Sequence, residues 1–427
     1  MSTHQLLYEP TDVLFFKDGR PMEGANAGHG AAWPMPHVLD SALHAALHRS
    51  GQKSHTHRAH RNGKVISEDR EKDGRQFGSL QSAGPFPVNA DGQWFFPRPA
   101  DADQGKSSVT THKPLLETPI GAHSSLETGL SPALNTLPPS KDKAEKWLSK
   151  SAFEAYLTGG ESPAKEHYLN DEAIYAAEHN IGIGIDADSG TQDGESFYSA
   201  SYLRLKKDWK LGQIARCDDK ENSDLLEQVF QNSGHENHII AGGQQRTCTL
   251  LRNAFTATVL PMAPEITGTL VRWTLLTPAI YPATSGKHTH PGGWLPSWVN
   301  PDTKQVMLLD GPGVKAAKRK KLEPGNPIDA KLVAAIIPRP IPVTGWSLGK
   351  TDGNDFGAKA THLAVPAGAV YYFDCDEDET AAQQLAAALN WHGCQTNPQH
   401  IINRRSTILG EKGYGLGVCS PWTPHNQ

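Results

Sequence analysis

Two cations near the start of the chain occupy a turn that could hold an anion. Lys17 and Arg20 flank an Asp-Gly pair that follows the apolar run 13–16, and Pro21 comes next. The Asp-Gly pair lets the chain reverse and the proline excludes a helix, so the pattern predicts a strand that ends in a charged turn. Two cations on a rigid strand end can neutralise adjacent phosphates without reading bases. An isolated turn of this kind is more often simply solvated, so its role depends on what the chain places beside it.

Glycines and cations occur together again near the end of the chain. The segment 404–417 contains Arg404, Arg405 and Lys412 and leads into an apolar strand. Its alternating glycines are Gly410, Gly413, Gly415 and Gly417. Glycines open the backbone so that amide N–H groups can face phosphates, while the cations supply charge. The segment lacks the Gly-Lys-Ser/Thr signature of a P-loop, and no Rossmann pattern follows it, so we reject a dinucleotide site.

The elements around these residues can be predicted from periodicity. The opening turn precedes a glycine-rich loop with Gly28 and His29, and a helix from about 37 to 50 follows because leucines recur on one face. Residues 181–186 and 197–205 alternate as strands joined by a long polar loop, which predicts a projecting β-hairpin. Further along, a strand enters a Gly-Gly pair that leads to Arg246. This pair allows close approach of a backbone or a phosphate, and a simple tight turn is an equally good interpretation.

Composition limits the possible functions. The 427 residues favour two domains, and the net charge of -5 gives no global support for nucleic-acid binding, so any RNA site must be local. Five scattered cysteines without a C-x-x-C pair indicate reduced structural thiols rather than a zinc site or a disulfide framework. No window approaches the ~20 apolar residues of a membrane span and no signal-peptide pattern is present, so we expect a cytoplasmic protein.

Several segments carry weaker signals. Residues 52–75 form a polar insert rich in His, Lys and Arg, which we interpret as a solvated or RNA-facing loop rather than a metal site. Apolar runs at 84–88 and 94–101 predict a second hairpin, residues 102–142 are expected to be irregular, and about 141–157 is expected to be helical.

The second half of the chain repeats part of the opening pattern. An apolar run at 269–282 resembles the first strand and its turn, and a linker is predicted at 262–266. The compact basic run 315–321 is either solvated or faces RNA or an acidic partner. An acidic run then precedes a helix predicted at about 380–392.

Ordered blocks along residues 6 to 418 resemble one family, the Cas5-like RAMP subunit of the type III-B CRISPR Cmr effector complex, usually called its third subunit. The blocks include the opening turn, the Ile-Gly-Ile hairpin, the Gly-Gly turn, a Gly-Trp pair, the Val-Pro-Ala-Gly-x-Val-Tyr run at 365–371 and the late glycine loop. One further block of the family consists of a single lysine, which corresponds to Lys359 in this chain. In the Gly-Gly turn the family typically has Gly-Gly-Glu-x-Arg, whereas this chain has Gln244 at the usual position of Glu.

The resemblance implies an α+β fold with two ferredoxin-like (RRM-like) RAMP domains, at 1–264 and 265–427, with long inserts and the projecting β-hairpin. It implies a non-catalytic scaffold, without cofactor or metal, that grips the 5′ handle of the guide RNA (crRNA) and joins the large polymerase/cyclase-like subunit to the backbone subunits. The predicted RNA-binding residues are Lys17, Arg20, Gly28, His29, Arg246, Lys359, Arg404, Arg405, Gly410, Lys412, Gly413, Gly415 and Gly417.

Two other classes of function stay open. A guide-RNA-processing endoribonuclease of the same superfamily would need a positioned general acid or base. His29 lies in a suitable loop and His37 begins the first helix, but neither has a clear second partner in the sequence. The other class is an interaction module that binds no RNA, and a test of whether the purified protein shifts handle RNA would separate it from the scaffold.

Overall fold

The computed structural model has a mixed α/β fold built mostly from antiparallel sheets. It describes residues 2–19, 27–28, 30–51, 80–102, 112–116, 126–127, 129–136, 138, 144–159, 165–186, 188–218, 222–230, 237–285, 289–308, 327–347 and 357–425. The insert 52–75 and the basic run 315–321 lie outside these residues. Among the helices that the structure describes, none combines the length and the apolar character needed to cross a membrane.

The strands and helices are numbered in chain order. The strands are β1 (His4–Pro10), β2 (Ala27–Gly28), β3 (Gln81–Val88), β4 (Phe95–Pro97), β5 (His112–Pro114), β6 (Ala133–Asn135), β7 (Trp147–Ser149), β8 (Tyr168–Leu169), β9 (Tyr175–Ile185), β10 (Gln192–Leu205), β11 (Lys210–Arg216), β12 (Asn237–Ile240), β13 (Thr247–Ala254), β14 (Leu270–Leu275), β15 (Lys331–Ile336), β16 (Ile341–Val343), β17 (Trp346–Ser347), β18 (Gly357–Ala358), β19 (His362–Ala364), β20 (Val370–Asp374) and β21 (Gly417–Pro421). The described α-helices are α1 (Pro36–Arg49), α2 (Lys150–Thr158), α3 (Asp171–Ile174), α4 (Leu225–Val229) and α5 (Glu379–Leu389).

The chain forms two compact units whose segments alternate along the sequence. Unit 1 comprises residues 1–92, 171–254 and 341–363. Unit 2 comprises residues 93–170, 255–340 and 364–427. The sequence predicts a single boundary near 264. In the structure, residues 93–170 belong to unit 2 together with most of the C-terminal half, and residues 341–363 belong to unit 1 together with most of the N-terminal half.

Unit 1 contains a five-stranded sheet in the order β12-β13-β1-β11-β3. The side chains of β1 alternate, so that His4, Leu6 and Tyr8 are buried while their neighbours are more exposed. Helix α1 starts with a proline in its first turn, and Leu43 and Leu47 join Leu6 in one core cluster. The helix predicted at 37–50 is therefore confirmed, and its apolar face covers this sheet.

Unit 2 contains a four-stranded sheet in the order β15-β20-β14-β21. Helix α5 packs against β14 and β21, with Leu385 and Leu389 in the same core cluster as Trp273 and Tyr371. Asp378 caps the start of this helix by accepting hydrogen bonds from the amides of Thr380 and Ala381. The helix predicted at about 380–392 is confirmed, and it ends three residues earlier than expected.

A buried charge network lies in the core of unit 2. Arg272 donates from Nη1 to Oδ2 of Asp101 at 3.0 Å, and these residues are 4% and 0% exposed. Asp101 also accepts hydrogen bonds from the hydroxyls of Tyr156 (2.8 Å) and Tyr372 (2.7 Å). The Arg272 guanidinium lies 4.1 Å from the centroid of the Tyr156 ring. Both carboxylate oxygens of Asp101 accept hydrogen bonds, so the ion pair fixes Asp101 against β14 and β20.

The long hairpin predicted from the Ile-Gly-Ile pattern is confirmed as β9 and β10. The strands pair antiparallel from Tyr175 opposite Leu205 to Ile185 opposite Gln192, with a register shift near the tip. β10 also pairs with the short β2, so the sheet has the order β2-β10-β9.

Two local predictions about strands were wrong. The apolar run 13–16 is not part of the first strand, because β1 ends at Pro10 and Leu14 forms only an isolated bridge to Leu203. The runs at 84–88 and 94–101 do not pair with each other: β3 pairs with β11, and β4 pairs with β7. The two runs belong to different units, so the turn signal at 89–92 does not lead them to pair with each other.

The helix expected at about 141–157 begins only at Lys150. Residues 147–149 form strand β7, and the hydroxyl of Ser149 accepts a hydrogen bond from the amide of Ala152 at 3.3 Å. Serine competes for backbone hydrogen bonds and favours the N-cap over the helix interior. The apolar residues of this helix face inward, since Phe153 and Tyr156 are buried.

Candidate nucleic-acid interface

The opening segment packs against the Gly-Gly turn within unit 1. The amide of Gly243 donates to the carbonyl oxygen of Phe15 at 2.9 Å. Gly242 has a φ of +81°, and a Cβ placed there would lie 2.5 Å from the same oxygen. Only glycine combines this conformation with so close an approach. The glycine pair is explained by the packing of two backbones, which brings Arg246 to the opening segment.

Arg246 stacks on an aromatic platform. Its guanidinium carbon lies 5.0 Å from the centroid of the Tyr202 ring, and Phe15 packs against that ring with centroids 5.6 Å apart. The Tyr202 hydroxyl donates to Oε1 of Gln244 at 2.8 Å, so the residue at the usual position of Glu accepts this hydrogen bond without a charge. Tyr202 is only 6% exposed, whereas the Arg246 side chain is 31% exposed. The accessible group is therefore the cation, which suits contact with a phosphate.

Carboxylates distinguish Arg246 from its neighbour Arg204. Arg204 forms ion pairs with Asp12, at 2.9 Å, and with Glu178. Its hydrogen bond holds the pKa of Asp12 below the usual range, so this carboxylate stays ionised at neutral pH. Arg246 reaches the same Asp12 only at 3.8 Å. Because two carboxylates already compensate Arg204, Arg246 is the better candidate for an RNA contact.

Lys17 and Gly28 lie beside β10 in the same unit. Lys17 is exposed and forms an antiparallel bridge with Gly30, and the amide of Ala31 donates to the Phe16 carbonyl oxygen at 2.6 Å. Gly28 pairs with Ala200 of β10. The chain that leaves the opening turn therefore returns along the strand that carries the aromatic platform.

Lys359 is connected to the opening turn through β16. Its amide donates to the carbonyl oxygen of Gly345 at 2.8 Å, and its carbonyl oxygen accepts from the Thr344 hydroxyl at 2.8 Å. Gly19 contacts the backbone of Pro342 so closely that a Cβ at this glycine would collide with the carbonyl oxygen. Lys359 is an exposed cation of unit 1.

The late glycine loop belongs to unit 2, and its amides are used within the chain. The amide of Gly415 donates to the Pro278 carbonyl oxygen at 2.7 Å, and that of Gly413 donates to the Gly410 carbonyl oxygen at 3.2 Å. The amide of Leu416 donates to the Thr277 hydroxyl at 2.9 Å. Gly410, Gly413, Gly415 and Gly417 are all buried. Any phosphate contact from this loop would therefore come from side chains rather than from these amides.

The cations around the glycine loop have different surroundings. Arg405 donates from Nε to the carbonyl oxygen of Ala388 at 2.5 Å and from Nη2 to Asn403 at 3.3 Å. It thereby satisfies a carbonyl group at the end of α5, which is a structural role. Arg404 and Lys412 are half-buried on the same unit.

A family profile described as "CRISPR-associated protein (Cas_Cmr3)" matches residues 6–422. The chain belongs to the Cas_Cmr3 family. No curated protein sequence matches it.

Solved structures similar to this Cas_Cmr3 family member share little sequence with it. One is a chain of the type III-B Cmr-beta complex bound to cognate target RNA, with 13% identity, a TM-score of 0.43 and coverage of 86% of each chain. Another is a chain of the Csm3-Csm4 subcomplex of the type III-A CRISPR-Cas interference complex. It has 10% identity and a TM-score of 0.38, with coverage of 99% of this chain and 100% of that chain.

The structure distributes the predicted site residues of this Cas_Cmr3 family member over both units. Unit 1 contains Lys17, Gly28, Arg246 and Lys359, while the residues from 404 onward lie in unit 2. Arg20 and His29 lie outside the described residues, so their predicted roles stay predictions. Within the described part of the chain, no group of three or more His, Cys, Asp or Glu side chains could hold a metal ion.

Sequence reasoning identified Arg246 but missed its platform. Tyr202 lies in the alternating strand 197–205, and nothing in that alternation links it to Arg246. The pairing with Arg246 joins positions 44 residues apart and depends on the contact between the Gly-Gly turn and Phe15. Two signals were available in the sequence. One is an aromatic residue inside a predicted hairpin strand, and the other is a cation after a glycine pair.

Proposed function

We propose that this protein is a non-catalytic RNA-binding subunit of a type III-B CRISPR effector complex. It would grip the 5′ handle of the guide RNA and join the large polymerase/cyclase-like subunit to the backbone subunits. The observation that carries this proposal is the match to the Cas_Cmr3 family from residue 6 to 422, which leaves almost no part of the chain outside it.

The strand orders support two ferredoxin-like RAMP domains. Taken as strands one to four in chain order, β1, β3, β11 and β13 lie side by side in the order 4-1-3-2. The strands β14, β15, β20 and β21 lie in the same order, and neighbouring strands in both sheets are antiparallel. This is the order produced by a β-α-β-β-α-β chain when each helix crosses over its own sheet.

The cations of unit 1 support a contact between this unit and the phosphates of the guide-RNA handle. Lys17 and Lys359 are exposed, and Arg246 stacks on Tyr202. A cation that already stacks on a ring loses less side-chain freedom on binding than an exposed lysine does, so Arg246 favours a defined path for the RNA backbone. The net charge of -5 makes a local cluster necessary for any such contact.

A salt series with 5′-labelled guide RNA tests the proposal. The double variant Lys17→Ala/Arg246→Ala should bind more weakly and less salt-dependently, because each phosphate contact on single-stranded RNA contributes ~0.7 to the log-log slope, or about 1.4 for two contacts. Lys331→Ala is the matched control, since Lys331 is also exposed but belongs to β15 of unit 2. Binding is measured by fluorescence anisotropy after circular dichroism has confirmed folding.

The same samples report on the alternatives. Guide RNA incubated with the protein, with and without divalent metal, should stay intact, and cleavage lost in His29→Ala would favour the endoribonuclease. Equal affinity and equal slope in wild type and double variant would place the handle elsewhere. Absence of any RNA binding by the wild type would favour the interaction module.

A further inference from the structure

Asp12 lies between two arginines of unit 1 but pairs closely with only one of them. Its Oδ1 atom is 2.9 Å from Nη2 of Arg204, whereas its Oδ2 atom is 3.8 Å from Nη1 of Arg246. The longer distance allows Coulomb attraction but is too long for a hydrogen bond. Asp12 therefore compensates part of the charge of Arg246 without occupying its hydrogen-bond donors.

The described surroundings of Arg246 supply little other compensation. Its Nε atom is buried and has no hydrogen-bond partner within the described residues. The Tyr202 ring beneath the guanidinium attracts the cation but carries no net charge. The Tyr202 hydroxyl donates to Gln244, whose side chain is neutral. In the part of the chain that the structure describes, Asp12 is the one carboxylate within ion-pair distance of Arg246.

A phosphate bound to Arg246 would interact with Asp12 as well. The Asp12 side chain is 55% exposed, and its lowered pKa keeps it ionised at neutral pH. Two like charges about 6 Å apart in water repel each other enough to weaken binding about threefold at low salt. Salt screens such a repulsion between exposed charges. The carboxylate therefore opposes the phosphate contact in a salt-dependent way.

We propose that Asp12 is the internal counter-ion of Arg246 and limits how tightly this arginine holds an RNA phosphate. Position 244 belongs to the same balance, because Gln244 accepts the hydrogen bond of Tyr202 without adding a second carboxylate beside the arginine. The inference rests on the proposed function, in which Arg246 contacts the backbone of the guide RNA.

Two substitutions of similar shape change this balance in opposite directions in the full chain. Asp12→Asn removes the carboxylate, and Arg204 keeps its ion pair with Glu178, so the fold should be retained. Gln244→Glu adds a carboxylate that can still accept the hydrogen bond from Tyr202. Circular dichroism checks the folding of each variant.

Three further variants separate the local balance from net charge. Glu9→Gln is the matched control, because Glu9 is 54% exposed and pairs with Lys210 at 3.4 Å. The double variant Asp12→Asn/Gln244→Glu moves the negative charge but conserves its amount. Arg246→Ala supplies a background in which neither substitution has an arginine to act on.

Fluorescence anisotropy with 5′-labelled guide RNA across a salt series measures the effect. Asp12→Asn should bind about threefold more tightly than wild type at low salt, and Gln244→Glu about threefold more weakly. Both differences should close at high salt. The double variant and Glu9→Gln should bind like wild type, and neither substitution should change affinity in the Arg246→Ala background.

The other outcomes overturn the inference in distinguishable ways. If Asp12→Asn binds as weakly as Arg246→Ala, Asp12 positions the arginine instead of opposing the phosphate. If Glu9→Gln gains as much affinity, or the gain persists in the Arg246→Ala background, net charge alone is responsible. If Asp12→Asn and Gln244→Glu both bind like wild type, the carboxylate has no influence.

Two results would trace the failure to the proposed function instead. If wild type and Arg246→Ala bind guide RNA equally, the phosphate contact of Arg246 fails, and the counter-ion role of Asp12 fails with it. If the wild type binds no guide RNA, the RNA-binding function itself fails.

Discussion

At the scale of single residues, a histidine joins a strand of unit 1 to the start of a helix. Nε2 of His4 lies 2.6 Å from Oδ2 of Asp224, and Arg252 Nη1 lies 3.1 Å from Nδ1 of the same ring. Because arginine can only donate, Nδ1 must accept and Nε2 must carry the proton that is donated to Asp224. Asp224 also caps α4 by accepting from the amide of Glu227 at 3.0 Å. One carboxylate therefore holds both the first strand and this helix.

Asp224→Asn should destabilise the protein in a pH-dependent way. Burial raises the pKa of Asp224, but hydrogen bonds from His4 and from helix amides lower it more, so the net pKa lies below its usual range. The carboxylate therefore stabilises the fold above the unfolded-state pKa of about 4, and this contribution is lost as the pH falls through the folded-state value. We expect Asp224→Asn to cost about 1–2 kcal/mol at pH 7.

Urea unfolding at pH 7 and at successively lower pH values measures this effect, and the difference from wild type should shrink below about pH 4. Asp378→Asn is the matched control, because Asp378 caps α5 and asparagine caps a helix equally well. A difference that stays constant with pH, or an equal loss in the control, would contradict the role of His4.

At the scale of elements, the late glycine loop shows what the sequence could and could not predict. The position of the loop before the last strand was predicted correctly, because the alternating glycines stop before an apolar run. The reason for the glycines was not visible, since it depends on partners far away in the sequence. A Cβ at Gly415 would collide with the backbone amide of Ser406, and one at Gly417 would collide with the Trp273 ring. The glycines let this loop enter the core of unit 2.

Substitutions of two glycines with the same backbone conformation separate strain from packing. Gly415 and Gly268 have φ values of +76° and +77°, but nothing lies within 4 Å of a Cβ at Gly268. Gly268→Ala should cost about 1 kcal/mol for its left-handed conformation. Gly415→Ala should cost about 2 kcal/mol more, because the backbone at 405–406 must move. Equal shifts in thermal unfolding would mean that the loop can relax and that the close approach is unimportant.

At the scale of the whole molecule, the sequence predicts local elements from periodicity, whereas the membership of the two compact units depends on contacts between residues far apart in the chain. Helix α1, helix α5 and the β9–β10 hairpin carry strong periodicity, and all three are present. Periodicity cannot show that 93–170 packs with 255–340, because that depends on contacts such as the buried pair Asp101 and Arg272. The predicted boundary at 264 therefore stays a prediction about independent folding, and it can be tested through this pair.

Asp101→Ala should loosen strands that lie more than 160 residues further along the chain. It leaves Arg272 buried without its carboxylate, which typically costs about 3–5 kcal/mol. Hydrogen exchange of amides in β14 and β21 should then accelerate roughly 100-fold or more, while amides in β1 and β11 of unit 1 change much less. Asp91→Ala is the matched control, since Asp91 is an exposed turn residue of unit 1. Unchanged exchange in β14 and β21 would show that residues 265–427 are stable without Asp101, as the boundary near 264 predicts. Equal acceleration in all four strands would show that the chain unfolds as one cooperative body.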